Sequence, residues 1–457
     1  MERGDMAGLE TGGNLRERLD GARIRPRGWL LASDVEGPMF LGDFIAEALA
    51  ACLKPAEGAV DATPSYGQII YAEGYAAFSA DNGALRRPEG KRGGKTPPAG
   101  GYTLAQEGSD TIFALPLLLA AGVDHLYLER LALRSQQTPG AAEMARRLDE
   151  MGWQQAGITT APQQPYRAVA ERCGWLAAER LLGSPFPLAE AEALLRRLGR
   201  WEMEIGWVRT YLRDAYELID RHSEAWLDGS VRRRHFSDTG RKLLRQRFRL
   251  LYRGELGISY SRGERAGRSA ASALGRVIEA CAMVGDRAKA ALALGLARRA
   301  GGLSRLVTMG DGANDAAMLR RARWSIGVNG PDAARAAAIG LVTDDMRHAL
   351  VLLRLIERGG DVGEVVGRAQ AELRGAGASR RRRAVGGIGG KAPADEAEVA
   401  WRIRHLLTPP PQAWPGGGAA APGRARRWRW RRCAARSSAR RCPSPRRRAW
   451  AYFAPPR

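Results

Sequence analysis

The chain has 457 residues and a hydrophobic fraction of 45 %, enough for a sizeable core and for two or three structural units. Its net charge of +23 would alone point to a nucleic-acid partner. Residues 371–457, however, hold 21 Arg and Lys against 4 Asp and Glu, so the rest of the chain carries only +6 and that argument applies to the tail alone.

Residues 1–27 are polar and rich in Gly and Arg, and read as a frayed N-terminus with no signal peptide. Trp29-Leu30-Leu31-Ala32 is a short apolar run that reads as a buried strand delivering Asp34 at its C-terminal end. Helical patterns are expected over 43–53, 110–121 and 126–135, with a loop at 86–101 where Gly, Pro and Lys cluster without periodicity. The longest apolar stretch, Ile112 to Val123, is broken by Pro116 and falls short of the ~20 residues of a membrane span, so a soluble, cytoplasmic protein is expected. Residues 140–151 show helical spacing of Ala141, Met144, Ala145 and Leu148. A strand over 153–158 ends at Thr159-Thr160, and a helix restarts by Tyr166 to Cys173.

Residues 181–280 read as a long, largely helical insertion. A helix over 289–300, a strand over 306–309, a helix from Asp315 to Ala322 and strands over 325–328 and 340–342 follow. Strand–helix alternation of this kind predicts an α/β fold with a Rossmann-like, doubly wound parallel sheet. Its core is expected from residues 28–42, 138–180 and 281–370, with a helical cap at 43–137 and a second insert at 181–280. In such sheets ligands bind at the C-terminal ends of the strands. Residues 371–457, with Arg380 to Arg383 and Arg426 to Arg432, read as a disordered basic tail. That tail either contacts nucleic acid or another anionic surface, or is a solvated appendage. The five cysteines form no CxxC pair and read as thiols rather than a zinc site or disulfide framework.

Chemistry concentrates in four places. Gly310-Asp311-Gly312-Ala313-Asn314-Asp315 sets two acids four residues apart on a glycine turn, hard oxygen donors suited to Mg²⁺. Ser33-Asp34-Val35-Glu36-Gly37-Pro38 offers Asp34 as a nucleophile toward phosphorus and Glu36 as a proton donor and acceptor. Lys289 lies 22 residues before Asp311 and can offset the charge of Asp34 and a phosphate. Thr159, or Thr160 beside it, sets a hydroxyl before a helix, where it can hold a phosphate oxygen. Gly93-Gly94-Lys95-Thr96 lacks the first glycine of a P-loop, since Glu89 stands there and Pro97 follows. The five histidines lack metal-ligand spacing, and the arginines around 232–247 read as a solvated helix face.

This set and its order resemble the haloacid dehalogenase superfamily. The resemblance implies Asp34 as nucleophile, Glu36 as acid/base, Thr159 on phosphate and Lys289 as charge stabiliser. It further implies Mg²⁺ ligated by Asp34, Asp311 and the backbone carbonyl of Glu36, with Asp315 and Asn314 in support. A finer resemblance, over roughly residues 28–355, is to the phosphatase-like archaeal and bacterial proteins known as subunit R of energy-converting hydrogenase A. It rests on Asp34 to Pro38, Gly108-Ser109-Asp110-Thr111, Pro139-Gly140-Ala141, Ile158-Thr159-Thr160, Phe186-Pro187-Leu188 and Asn329-Gly330. One departure stands out: most phosphatases of the superfamily carry Asp where this chain has Glu36. The expectation is a Mg²⁺-dependent phosphohydrolase of a small phosphorylated metabolite. The alternative is a catalytically weak binding or regulatory subunit. The oligomeric state is left open.

Overall fold

The computed structural model describes residues 15–26, 28–53, 62–83, 107–229, 231–258 and 272–384. The glycine- and proline-rich loop at 86–101, the P-loop-like segment, Cys433, Cys442 and the tail from residue 385 lie outside the described residues. Six strands form one parallel sheet: β1 (Leu30–Ser33), β2 (Gln154–Pro162), β3 (Leu181–Ser184), β6 (Leu306–Gly310), β7 (Trp324–Val328) and β8 (Ile339–Leu341). The remaining two, β4 (Ser223–Asp228) and β5 (Val231–Phe236), pair as an antiparallel hairpin. Strand order in the large sheet is β3-β2-β1-β6-β7-β8. The chain therefore winds outward from β1 in one direction and, after β6, outward in the other. The reversal falls between β1 and β6, which pair with Ser33 opposite Met309. That is the crevice where doubly wound sheets take their ligands.

Both faces of the sheet are covered, and β1, β2, β3, β6 and β7 are buried along their whole length. On one face the helix Asp286–Arg299 packs Ala288, Leu292, Ala293 and Leu296 with Leu30, Ala32, Ala156, Ile158 and Leu306. On the other, Leu31, Val307 and Met309 join the helices Ala141–Glu150 and Arg347–Arg358. The two inserts expected from the sequence pack on each other. Phe113, which packs on Phe78 within the first, meets Phe248 and Tyr252 from the second, with ring centroids 5.7 and 4.9 Å apart. Buried Glu73 accepts from Arg241 (2.5 Å) and Arg245 (2.6 Å), tying helix Tyr66–Gly83 to helix Asp238–Arg249. Among the described residues no single helix is long and apolar enough to cross a membrane.

Four expectations need correction. Residues 181–184 belong to the main sheet as edge strand β3, not to the second insert. Their four-residue run, Leu-Leu-Gly-Ser, is too short for periodicity to distinguish strand from helix. The second insert also contains the β4–β5 hairpin, whose Arg232 to Arg234 lie on a strand and not on a helix face. The helix expected over 110–121 is two, Ser109–Ile112 and Ala114–Ala120, because Pro116 cannot donate to the carbonyl of Ile112. At the ends, Leu15–Gly21 is helical, anchored by Arg18 Nη1 to Gly183 O (2.9 Å), and the helix Val362–Ala384 runs past the expected tail boundary at 371.

Because the aromatic cluster joins the inserts, Phe248→Ala should cost about 3–5 kcal/mol of stability. Urea unfolding followed by tryptophan fluorescence measures the loss. A change under about 1 kcal/mol would mean that the cluster does not hold the inserts together.

Candidate active site

Asp34 follows β1 and Asp311 follows β6, so the pairing of these two strands sets the two acids side by side. Asp34 is fixed at the backbone, where its N–H donates to Met309 O (2.8 Å). The Gly310–Asp315 turn is closed by Asp315, whose Oδ2 accepts from Asp311 N and Gly312 N, both at 3.0 Å. That turn leads into the helix Ala316–Arg321, whose Ala317 N–H donates to Asp286 Oδ1 (2.6 Å). Asp34, Asp311 and Asp315 each offer a carboxylate oxygen within 4.8 Å of the others.

Lys289 comes from the helix beneath. Its Nζ donates to Asp34 Oδ2 at 2.6 Å and to Asp315 Oδ1 at 2.8 Å. The ammonium is fully buried, and Asp34 and Asp315 are 3 % and 0 % exposed. Burial alone would pull the Lys289 pKa down, but Asp315 and Asp34 outweigh it and raise it, so the side chain stays charged. One ammonium faces three carboxylates, and the acids respond. Burial first, then Asp315, pushes Asp34 well above the usual carboxylate range against the pull of Lys289. Asp311 rises to about 6, from burial and then Asp315.

The donor set fits a divalent cation on three counts: hard oxygens, a surplus of negative charge, and space kept open by glycine. Gly37, at φ +83°, runs so close to the turn that a Cβ there would lie 2.2 Å from Asp311 Oδ2. Gly310 likewise leaves room for the Asp315 side chain, which a Cβ would meet at 2.5 Å.

Glu36 stands outside this trio. Its Oε1 accepts from Phe44 N–H (2.7 Å) at the start of helix Phe44–Cys52, and from Tyr166 OH (3.4 Å). Burial, then the charge of Asp43, raises the Glu36 carboxyl to about 8. Of the two threonines, Thr160 Oγ1 donates to Val284 O (2.9 Å) and accepts from Asn314 Nδ2 (3.2 Å). Thr159 Oγ1 accepts from Ala161 N–H (3.1 Å) and keeps its own proton to donate. Gly108, part of the finer resemblance, and Glu107, not singled out from the sequence, also come to this place. Gly108 packs against the Thr160 methyl, and Glu107 binds Arg287 N–H (2.8 Å), so the first insert reaches the sheet here. Tyr166 and Phe44, 130 and 8 residues from Glu36, carried no sequence signal beyond ordinary core aromatics.

Opposite changes follow from one charge balance. Asp311 has its pKa raised above the unfolded value, so its contribution to stability is present at low pH and lost as pH rises through about 6. Asp311→Asn should therefore stabilise the cation-free protein above pH 7, by about 1–3 kcal/mol, and change little at pH 4.5. Lys289→Met leaves two buried carboxylates without their cation and should cost about 3–5 kcal/mol at pH 7. Thermal melts of the two variants against wild type across pH 4.5–8 measure both; destabilisation by Asp311→Asn at pH 8 would contradict the charge balance.

No protein-family model matches the chain, and no curated protein does. Among solved structures it is similar to a gene product of Archaeoglobus fulgidus, with TM-score 0.49 and 19 % identity over 83 % of this chain and 96 % of that one. It is also similar to a phospho-aspartyl intermediate analogue of phosphoserine phosphatase, with TM-score 0.35, 13 % identity and coverage of 71 % and 98 %. A substrate-bound phosphoserine phosphatase complex follows, with TM-score 0.32, 12 % identity and the same coverage. Likenesses at these TM-scores say nothing of this chain's activity.

Proposed function

We propose that the chain is a Mg²⁺-dependent phosphohydrolase of the haloacid dehalogenase type, acting on a small phosphate monoester through an aspartyl phosphate on Asp34. The observation that carries this reading is the trio Asp34, Asp311 and Asp315 gathered around Lys289 at the reversal of the sheet. Asp34, Asp311 and the backbone carbonyl of Glu36 would hold Mg²⁺, with Asp315 in support through the turn. When bound, the ion would draw charge from the phosphate oxygens.

In the first step a carboxylate oxygen of Asp34 attacks phosphorus in line. The bond from phosphorus to the ester oxygen breaks, and that oxygen leaves with the proton of Glu36. A carboxyl raised to about 8 is protonated at neutral pH and so is ready to donate. In the second step ionised Glu36 takes a proton from water, whose oxygen attacks phosphorus and returns Asp34 and free phosphate. Lys289 lowers the cost of ionising Asp34, which bound Mg²⁺ would lower further, and offsets the charge that builds up on attack. Thr159 or Thr160 would hold a phosphate oxygen: Thr159 is fully buried, and Thr160 Oγ1 is engaged by Val284 O and Asn314 Nδ2. Insert residues approach the sheet at Glu36 and Thr160, which favours small substrates.

One observation favours a second reading, a weak or non-catalytic binding subunit: the Glu36 carboxylate is engaged by Phe44 and Tyr166. Phosphate release from a panel of monoesters separates the two. With Mg²⁺ the wild type should turn over at least one ester. Asp34→Asn should lower the rate by about a thousandfold or more, and excess chelator should remove it. A folded, Mg²⁺-binding wild type that hydrolyses none of a broad panel would sink the enzymatic reading and favour the binding subunit.

A further inference from the structure

We propose that Tyr166 is a positioning residue for Glu36, holding its carboxyl so that one chosen oxygen faces the leaving group; this rests on the phosphohydrolase reading above. Two donors from different elements converge on the same atom. Phe44 N–H reaches Glu36 Oε1 from the first insert, and Tyr166 OH reaches it from helix Gln163–Cys173, which follows β2. A carboxylic acid has one carbonyl and one hydroxyl oxygen, and donors select the carbonyl. With Oε1 bound by both, the acid proton resides on Oε2, the oxygen left to face a substrate.

The donor cannot easily swing away. Tyr166 is 2 % exposed, and its ring packs on Phe40 and Phe44, with centroids 5.6 and 5.5 Å apart. Phe40 belongs to the same turn as Glu36, because Gly37 N–H donates to Phe40 O (2.7 Å). The ring contacts ask only for an aromatic group, and phenylalanine would satisfy them. The hydroxyl is what singles out tyrosine, and its partner is Glu36. Burial and then the neighbouring carboxylates, Glu36 foremost, push the phenol well above its usual range, so it stays a donor. At 3.4 Å the contact is long, as catalytic hydrogen bonds often are before substrate arrives.

A residue that acts through the general acid should matter most when the leaving group needs a proton. An alkoxide does, whereas p-nitrophenolate leaves readily as an anion. The comparison must use kcat/KM, which ends at the first irreversible step and so excludes hydrolysis of the aspartyl phosphate. With full-length protein and Mg²⁺, Tyr166→Phe should lower kcat/KM for an alkyl phosphate about 10- to 100-fold and for p-nitrophenyl phosphate less than about threefold. Glu36→Gln should show the same split, and the double variant should be no worse than Glu36→Gln on the alkyl ester. Equal loss on both esters, or losses that multiply in the double variant, would overturn the inference while leaving the phosphohydrolase reading intact. If the wild type hydrolyses neither ester, nor any other monoester, that reading fails on its own. Thermal unfolding of the same four proteins then decides the contact: additive shifts in midpoint would overturn it, and non-additive shifts would support it.

Discussion

A single buried ammonium sets the terms for the centre. Lys289 is shared between Asp34, at the end of one strand, and Asp315, on the turn after another, and it can serve both only because β1 and β6 are neighbours. Break that pairing and two carboxylates are left in a dry interior without compensation. Even with it intact, the charge does not balance. Three acids meet one cation, and the excess must be met by protons or by a divalent ion. That imbalance is poor for stability, and under the proposed reading it serves the chemistry, with Asp34 as the acid that becomes a nucleophile and a divalent cation beside it.

The inserts are tied to this centre at defined atoms and do not merely lie over it. The first helix of the first insert presents Phe44 N–H to Glu36, and Gly108 in the same insert packs on Thr160. The second insert holds the first through Glu73 with Arg241 and Arg245 and through the Phe113, Phe248 and Tyr252 rings. A shift of either insert therefore reaches Glu36 through Phe44. The sheet fixes Asp34, and Glu36 is held from two sides, by Phe44 of the first insert and by Tyr166 on the helix after β2.

Much of this was legible in the amino-acid order. Asp34 and Asp311 sit where short apolar runs end, and such runs are strands whose ends carry chemistry; Asp315 lies four residues on, past a glycine turn. Lys289 could be placed because a helix pattern starts at it, three residues inside the observed start at Asp286. Helices such as Ala141–Glu150 were visible from their spacing alone. What escaped had no periodic signature. Leu181–Ser184 is too short to show a period, and the hairpin of Ser223–Asp228 with Val231–Phe236 is largely exposed, so it lacks the alternation that betrays a half-buried strand. Tyr166 was invisible as a partner of Glu36 because 130 residues separate them and only the folded sheet brings them together. The Thr160 hydroxyl likewise spends its proton on Val284, a contact that spans 124 residues and leaves no trace in the local sequence.

The central claim is that Asp34 itself becomes phosphorylated. The most direct measurement is rapid acid quenching during turnover of a monoester with Mg²⁺, followed by mass spectrometry of the peptides. The account predicts a phosphoryl group on the peptide carrying Asp34, lost on treatment with hydroxylamine as an acyl phosphate should be. Steady turnover with that peptide unmodified at every quench time, or the phosphoryl group found on another residue, would contradict it.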